Sequence, residues 1–193
     1  MFEGWRIAVV HAEFEAPDGE HFSRDVVRHP GAVAVVPVTD AGSALLVRQY
    51  RGAFDRHLLE IPAGTRDVEA EPPEETARRE LEEEVGVHAG SLRLLATILN
   101  SPGFCDEETL IYVASDLRPG RPARHGPEER FIDVVEVPLS DVPACITRGD
   151  VVDAQTVVGL LLARGAVDVE APSGELRRPG DGSPAQESAP GRT

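Results

Sequence analysis

The most constraining feature of this 193-residue sequence is a single well-delimited helix that lies among β-rich runs. Pro72 and Pro73 favour its start, because the first turn of a helix tolerates residues without an amide hydrogen. Gly86 suits the left-handed conformation in which helices commonly end. We therefore predict a helix over residues 74–85. The strands around it must supply a sheet on which this helix packs.

Two kinds of side chain divide the surface of the predicted helix. An apolar stripe at helical spacing can dock it on a sheet, and the stripe consists of Ala77, Leu81 and Val85. Beside the stripe, α-helical spacing puts Glu84 about 40° from Glu80 and Glu83 about 60° to the other side. Three carboxylates therefore share one face.

This acidic face has two interpretations. Nine of the eighteen residues from 67 to 84 are acidic, and an acid-rich helix is ordinarily a solvated surface. Like charges four residues apart destabilise a helix, however, unless a cation lies between them. Mg²⁺ prefers carboxylate oxygens, waters and substrate phosphates, so the spacing favours a metal site for phosphoryl chemistry. Arg79 can orient a glutamate by a charged hydrogen bond, or it forms a purely structural ion pair.

A known motif matches these residues. Gly64, Glu71 and the run Arg79-Glu80-Leu81-x-Glu83-Glu84-x-Gly86-Val87 resemble the Nudix box of Nudix hydrolases. One departure is that six residues, rather than the usual five, separate Gly64 from Glu71. The extra residue belongs to the loop before the helix and leaves the helix register intact.

The resemblance implies a cofactor and a reaction. Mg²⁺, with Mn²⁺ as a substitute, would be held by Glu80, Glu84 and the backbone carbonyl of Ala63, with Glu83 close by. Glu83 and Arg79 also become candidate catalytic residues. The implied reaction is attack of water on one phosphorus of a diphosphate, with cations neutralising charge on the attacking and leaving oxygens.

Residues outside the box resemble the ADP-ribose pyrophosphatase branch. This resemblance rests on three features: the strand-like runs before the box, Pro102 fifteen residues after Val87, and the segment VVDAQTVVGLLLA near the end. This likeness implies hydrolysis of ADP-ribose to AMP and ribose 5-phosphate. The alternatives are another nucleoside diphosphate sugar such as UDP-glucose or GDP-mannose, a non-catalytic ADP-ribose-binding module, and an isoprenyl diphosphate isomerase that would need a cysteine such as Cys105 in the site.

Further site residues follow from the same likeness. Some enzymes of the branch take a base from a loop before a strand that here reads FIDVVEV, so Glu129 is the expected base and Glu128 the alternative. Arginine suits a diphosphate or a stacked adenine. The expected substrate-binding residues are Arg24, Arg48, Arg51, Pro102, Gly103 and Phe104.

The order of elements predicts an α+β fold, a Nudix-like α/β/α sandwich with a mixed sheet. Residues 1–29 form a strand arm with a turn at Asp18-Gly19, and relatives exchange such an arm between the subunits of a homodimer. Residues 30–168 form the hydrolase domain, which begins with two β-rich runs joined by a turn at residues 40–42. Residues 169–193 hold four prolines, four glycines and three serines from residue 171 onward, a composition typical of disorder.

Charge and cysteine content limit the partners. A formal net charge of −15 disfavours binding to nucleic acid or to an anionic membrane surface. A small anionic substrate remains compatible with this charge if a cation is held by carboxylates. The start lacks a signal-peptide pattern, and the two cysteines are far apart in sequence. We expect a cytoplasmic protein.

Overall fold

A four-stranded mixed sheet forms the centre of the molecule. In a computed structural model, which describes residues 1–4, 7–122 and 132–168, its strand order is β7-β4-β9-β8. The strands span Ala32–Pro37 (β4), Ala63–Thr65 (β7), Val87–Leu99 (β8) and Glu108–Pro119 (β9). β4 and β9 are parallel, and the other neighbours are antiparallel.

Every residue of β4 is buried, and its side chains serve two cores. Val33 and Val35 pack with Ala77 and Leu81 of the helix on one face. The alternate residues Ala34 and Val36 pack with the last helix on the other face. Successive strand residues point to opposite faces, so this uninterrupted apolar run supports helices on both sides of the sheet. The predicted α/β/α sandwich is confirmed.

The helix of the box begins at Pro73, as its prolines predict. Helix α1 covers Pro73–Glu80 and continues as a wider, π-helical turn over Leu81–Val85. Gly86 ends it in the left-handed conformation, with φ of 77°, which costs glycine little because it has no side chain. The prediction of 74–85 is therefore correct in extent, but the last turn is wider than the α-helix assumed.

A second sheet lies beside the first. It has the order β10-β5-β6, with Ser43–Arg51 (β5), Arg56–Glu60 (β6) and Asp133–Pro138 (β10) all antiparallel. The two runs joined at residues 40–42 thus enter different sheets, because β4 is already flanked by β7 and β9. Helices α2, Val142–Arg148, and α3, Ala154–Asp168, complete the fold.

The N-terminal arm is a separate three-stranded sheet of Phe2–Glu3 (β1), Ala8–Glu15 (β2) and His21–Arg28 (β3). The predicted hairpin is present, with Phe14 opposite Phe22. Most of its side chains are exposed. Within the described residues, no helix is sufficiently long and apolar to traverse a bilayer. The predicted tail, 169–193, lies outside the described residues.

Candidate active site

The start of strand β7, at Ala63 and Gly64, contacts the C-terminal part of the helix. The amide of Ala63 donates a hydrogen bond of 3.1 Å to Oε2 of Glu84. A Cβ added at Gly64 would overlap the Cγ, Cδ and Oε1 atoms of Glu80. Glycine is therefore required here because the carboxylate of Glu80 packs directly against the backbone. Strand β7 and the helix together place Glu84 at the Ala63 amide and Glu80 against Gly64.

Arg79 is the centre of a network of three carboxylates. Its Nη1 donates to Oε1 of Glu80 at 2.7 Å and approaches Oε2 of Glu83 at 3.4 Å. On its other edge, Nε and Nη2 donate to the two oxygens of Glu71 at 3.2 and 3.1 Å. The planar fork of arginine suits such bidentate pairing. The predicted contact between Arg79 and a glutamate is thus present in the structure, and it extends to Glu71.

These contacts shift two pKa values. Hydrogen bonding to Arg79 lowers the pKa of Glu71, with a further contribution from the hydroxyl of Thr76. Hydrogen bonding to Glu71 and the charge of Glu80 raise the pKa of Arg79, against the effect of burial. Both side chains therefore remain ionised over the physiological pH range.

The extra residue between Gly64 and Glu71 is accommodated by the loop. Ala70 adopts a left-handed conformation with φ of 61°, and the amide of Glu71 closes a turn onto the carbonyl of Val68 at 3.2 Å. Glu71 then accepts a 2.8 Å hydrogen bond from Thr76 Oγ1 in the first turn of α1. The insertion consequently leaves Glu71 in contact with Arg79.

A second, partly buried ion pair lies next to this network, and the sequence pattern did not predict it. Glu60 at the end of β6 is only 3% exposed, and its Oε1 and Oε2 accept hydrogen bonds of 3.0 and 3.1 Å from Arg51 Nε. Burial opposes the charge of Arg51, but Glu60, Glu84 and Asp153 raise its pKa. The available signal was a lone acid within the apolar run LLEIP, since a buried charge is rarely without a partner.

The charges of this acidic cluster fit a divalent cation. Two arginines oppose five carboxylates, which belong to Glu60, Glu71, Glu80, Glu83 and Glu84. Carboxylate and carbonyl oxygens are the ligands that Mg²⁺ prefers. The described residues do not hold three acidic, histidine or cysteine side chains in one chelating arrangement. In this structure Glu80 and Glu83 turn to Arg79, and Glu84 turns to the Ala63 amide.

The predicted substrate-binding residues do not all lie together. Arg51 contacts the acidic cluster, whereas Arg48 is exposed on the opposite face of β5. Arg24 lies on the arm, with its guanidinium carbon 4.9 Å from the ring centroid of Phe22. The exposed loop of Pro102, Gly103 and Phe104 is hydrogen-bonded to the arm, since the Val27 amide donates to the Phe104 carbonyl at 2.7 Å.

Cys105 and the two candidate bases are the remaining groups that the sequence suggested for the site. Cys105 forms a backbone bridge with Val27 of the arm, so the cysteine considered for an isomerase is attached to the hairpin. The candidate bases Glu128 and Glu129 lie outside the described residues.

Comparisons with known proteins identify similar sequences and a similar fold. Residues 28–155 match the model of the NUDIX domain. The chain is 39% identical to an ADP-ribose pyrophosphatase of Bacillus subtilis, over 83% of this chain and 86% of that protein. It is 41% identical to an ADP-ribose pyrophosphatase of Mycobacterium tuberculosis, over 83% and 78% of the two chains. A crystal structure of an ADP compounds hydrolase superposes with a TM-score of 0.75 and 26% identity, over 87% and 90%.

Proposed function

Because this chain belongs to the Nudix family, we propose that it hydrolyses the diphosphate of ADP-ribose to AMP and ribose 5-phosphate, with Mg²⁺ as cofactor and Mn²⁺ as a substitute. The observation that carries the proposal is the acidic cluster beside strand β7, in which Glu84 accepts from the Ala63 amide and Glu80 packs against Gly64. The two named pyrophosphatases that resemble most of the chain support ADP-ribose as the substrate.

The chain's residues would divide the work. Glu80, Glu84 and the Ala63 carbonyl would hold the cation, with Glu83 beside them, and Arg79 would fix the position of Glu80. A bound divalent cation neutralises charge on the attacking and leaving oxygens of a diphosphate. Arg51, Arg24, Arg48 and the 102–104 loop would orient the substrate. Glu129, or alternatively Glu128, would accept the proton of the attacking water.

Substrate assays with one matched pair of variants test the hydrolase proposal. The protein is incubated with ADP-ribose, UDP-glucose or GDP-mannose, with and without Mg²⁺. We expect cleavage of ADP-ribose that depends on Mg²⁺, and a loss of about 100-fold or more in kcat for Glu84→Gln, because that carboxylate would hold the cation. Glu82→Gln is the control, since Glu82 lies on the same turn but pairs with the exposed His88.

Three outcomes would contradict the proposal in different ways. A fully active Glu84→Gln would place the cation elsewhere. Preferential cleavage of UDP-glucose or GDP-mannose would change the substrate and keep the reaction. ADP-ribose binding without cleavage under every metal condition would favour a non-catalytic module.

The base is tested separately. Glu129→Gln should lower kcat by about 100-fold with a small change in KM, because general base catalysis contributes roughly 10²–10⁴-fold. Glu128→Gln should remain within a few-fold of the parent. The reverse pattern would identify Glu128 as the base, and two active variants would place the base outside this loop.

A homodimer in the cytoplasm completes the proposal. The arm exposes Phe14 and Phe22, which stack with their centroids 5.5 Å apart, and exposed apolar groups of this kind are common at interfaces. Light scattering at micromolar concentration should give twice the 20.8 kDa mass of the chain, and a monomer would refute the dimer. Cys105 and Cys145 are both free thiols, as expected in a reducing compartment.

A further inference from the structure

The start of helix α3 is connected to the acidic cluster through one buried hydroxyl. Thr156 and Ile61 are both fully buried, and the Ile61 amide donates a 3.0 Å hydrogen bond to Thr156 Oγ1. The hydroxyl of Thr156 in turn donates to Asp153 Oδ2 at 2.6 Å. The hydroxyl therefore both accepts and donates, so its two roles link Ile61 to Asp153.

Ile61 lies where the backbone crosses from one sheet to the other. The chain leaves one sheet at Glu60, the end of β6, and enters the other at Ala63, the start of β7. Only Ile61 and Pro62 lie between them. Pro62 has no amide hydrogen, and its carbonyl accepts from Val35 at 2.8 Å. A buried amide at such a crossing needs a partner from outside the two sheets, and Thr156 supplies it.

The residues on either side of this crossing belong to the acidic cluster. Glu60 immediately precedes it and is paired with Arg51. Ala63 follows it and donates to Glu84. A displacement of Ile61 would therefore move Ala63, whose carbonyl is a proposed ligand, and Glu60, which holds Arg51 beside the acidic cluster. Both groups depend on a defined backbone position.

Asp153 fixes the hydroxyl of Thr156. Its Oδ2 also accepts the Thr156 amide at 2.9 Å, the contact by which a residue that precedes a helix caps the third residue of its first turn. Burial lowers the pKa of Arg51, whereas Glu60, Glu84 and, to the smallest extent, this carboxylate of Asp153 raise it. The carboxylate that caps α3 therefore also favours the charged form of Arg51, which is the partner of Glu60.

We propose that Thr156, oriented by Asp153, is a positioning residue that holds the Ile61–Pro62 crossing and thereby keeps Glu60 and Ala63 in place beside the proposed metal site. The inference rests on the proposed function only in that the acidic cluster binds a divalent cation. Thr156 does not touch the reacting atoms. Its effect should therefore appear first in metal binding and in the protection of one amide.

The test compares Thr156→Val, which keeps the shape of the side chain but removes the hydroxyl, with Thr156→Ser, which restores the hydroxyl. Thr147→Val is the matched control, because Thr147 is an exposed helical threonine whose hydroxyl donates to the Pro143 carbonyl. Mn²⁺ binding without substrate is measured by electron paramagnetic resonance. Exchange of the Ile61 amide is measured by NMR on the metal-free protein, and kcat and half-saturating Mg²⁺ are measured with ADP-ribose.

Thr156→Val should weaken Mn²⁺ binding and raise the half-saturating Mg²⁺ by about 10- to 100-fold, as changes to groups that support metal ligands do. Its Ile61 amide should exchange faster, while Thr156→Ser and Thr147→Val should resemble the parent. Unchanged Mn²⁺ affinity in Thr156→Val would overturn the inference, even if the variant were less stable. A parent that binds Mn²⁺ but cleaves no ADP-ribose would contradict the proposed function and leave this measurement valid.

Discussion

At the scale of single residues, Gly64 shows why the box begins with a glycine. Its backbone contacts the Glu80 side chain so closely that no Cβ fits. Gly64→Ala should displace this flexible carboxylate and leave the fold intact, since the obstructing atoms belong to the far end of a side chain. We expect kcat with ADP-ribose to fall about 100-fold, as misplacement of a site group by about 1 Å can cause, with little change in Tm.

Gly165→Ala is the control for this prediction, because a Cβ at Gly165 in α3 would meet nothing within 4 Å. A Gly64→Ala variant with parental kcat would mean that Glu80 can act from a second position. A large fall in Tm would instead mean that the contact is part of the folding core.

Glu71 provides a prediction about pH at the same scale. Its contact with Arg79 lowers its pKa from a usual value of 4.5, so its stabilising effect is complete above that value and is lost as pH falls through the lower, folded-state pKa. Glu71→Gln should therefore be less stable than the parent at pH 7, and this difference should shrink as pH falls below the usual value of 4.5. Chemical denaturation across this range measures it.

Glu75→Gln is the control, because Glu75 is exposed in the first turn of α1 and its replacement also removes one negative charge. Glu75→Gln should show a much smaller difference from the parent at pH 7. A difference between Glu71→Gln and the parent that stays constant down to pH 3 would show that protonation of Glu71 has no part in it.

At the scale of elements, Asp106 joins the arm to the 102–104 loop. Its two oxygens accept hydrogen bonds of 2.8 Å each from the Arg28 side chain and the His29 amide. Asp106→Ala should loosen the end of β3, so that the His29 amide exchanges faster, and KM for ADP-ribose should rise several-fold with kcat nearly unchanged. The change in global stability should be about 1 kcal/mol or less, because the pair is exposed.

Hydrogen exchange and steady-state kinetics together check this coupling. Asp25→Ala is the control, since Asp25 pairs with His11 within the arm itself. An unchanged His29 exchange rate in Asp106→Ala would show that the backbone bridge at Val27 holds the two elements without the carboxylate.

At the scale of the whole molecule, the arm is the part whose exposure a single chain does not explain. Phe14 and Phe22 are 36% and 37% exposed, and the proposed homodimer would bury them against a second copy. The double substitution Phe14→Ser with Phe22→Ser should halve the mass in light scattering and remove the dependence of Tm on protein concentration that a dimer shows. Phe54→Ser, at an exposed site on the β5–β6 turn, should leave the mass unchanged.

The local features could be predicted from the sequence. Prolines and a glycine delimit the helix, its apolar stripe docks on β4, and the run from Arg79 to Val87, together with Gly64, resembles the Nudix box. These features depend on neighbours within one or two turns, whose relative positions are set by backbone geometry. For that reason the helix and its motif could be predicted without knowledge of the rest of the chain.

Contacts between groups that are distant in sequence could not be predicted in this way. β4 and β5 are consecutive, yet they enter different sheets, because β9 takes the place beside β4. Arg51 reaches Glu60 along a sheet, and Ile61 reaches Thr156 across 95 residues. A buried charge or amide needs a hydrogen-bonding partner, but its own chemistry does not specify which residue that partner is. The partner is selected by how the sheets and helices pack, which residue spacing does not record.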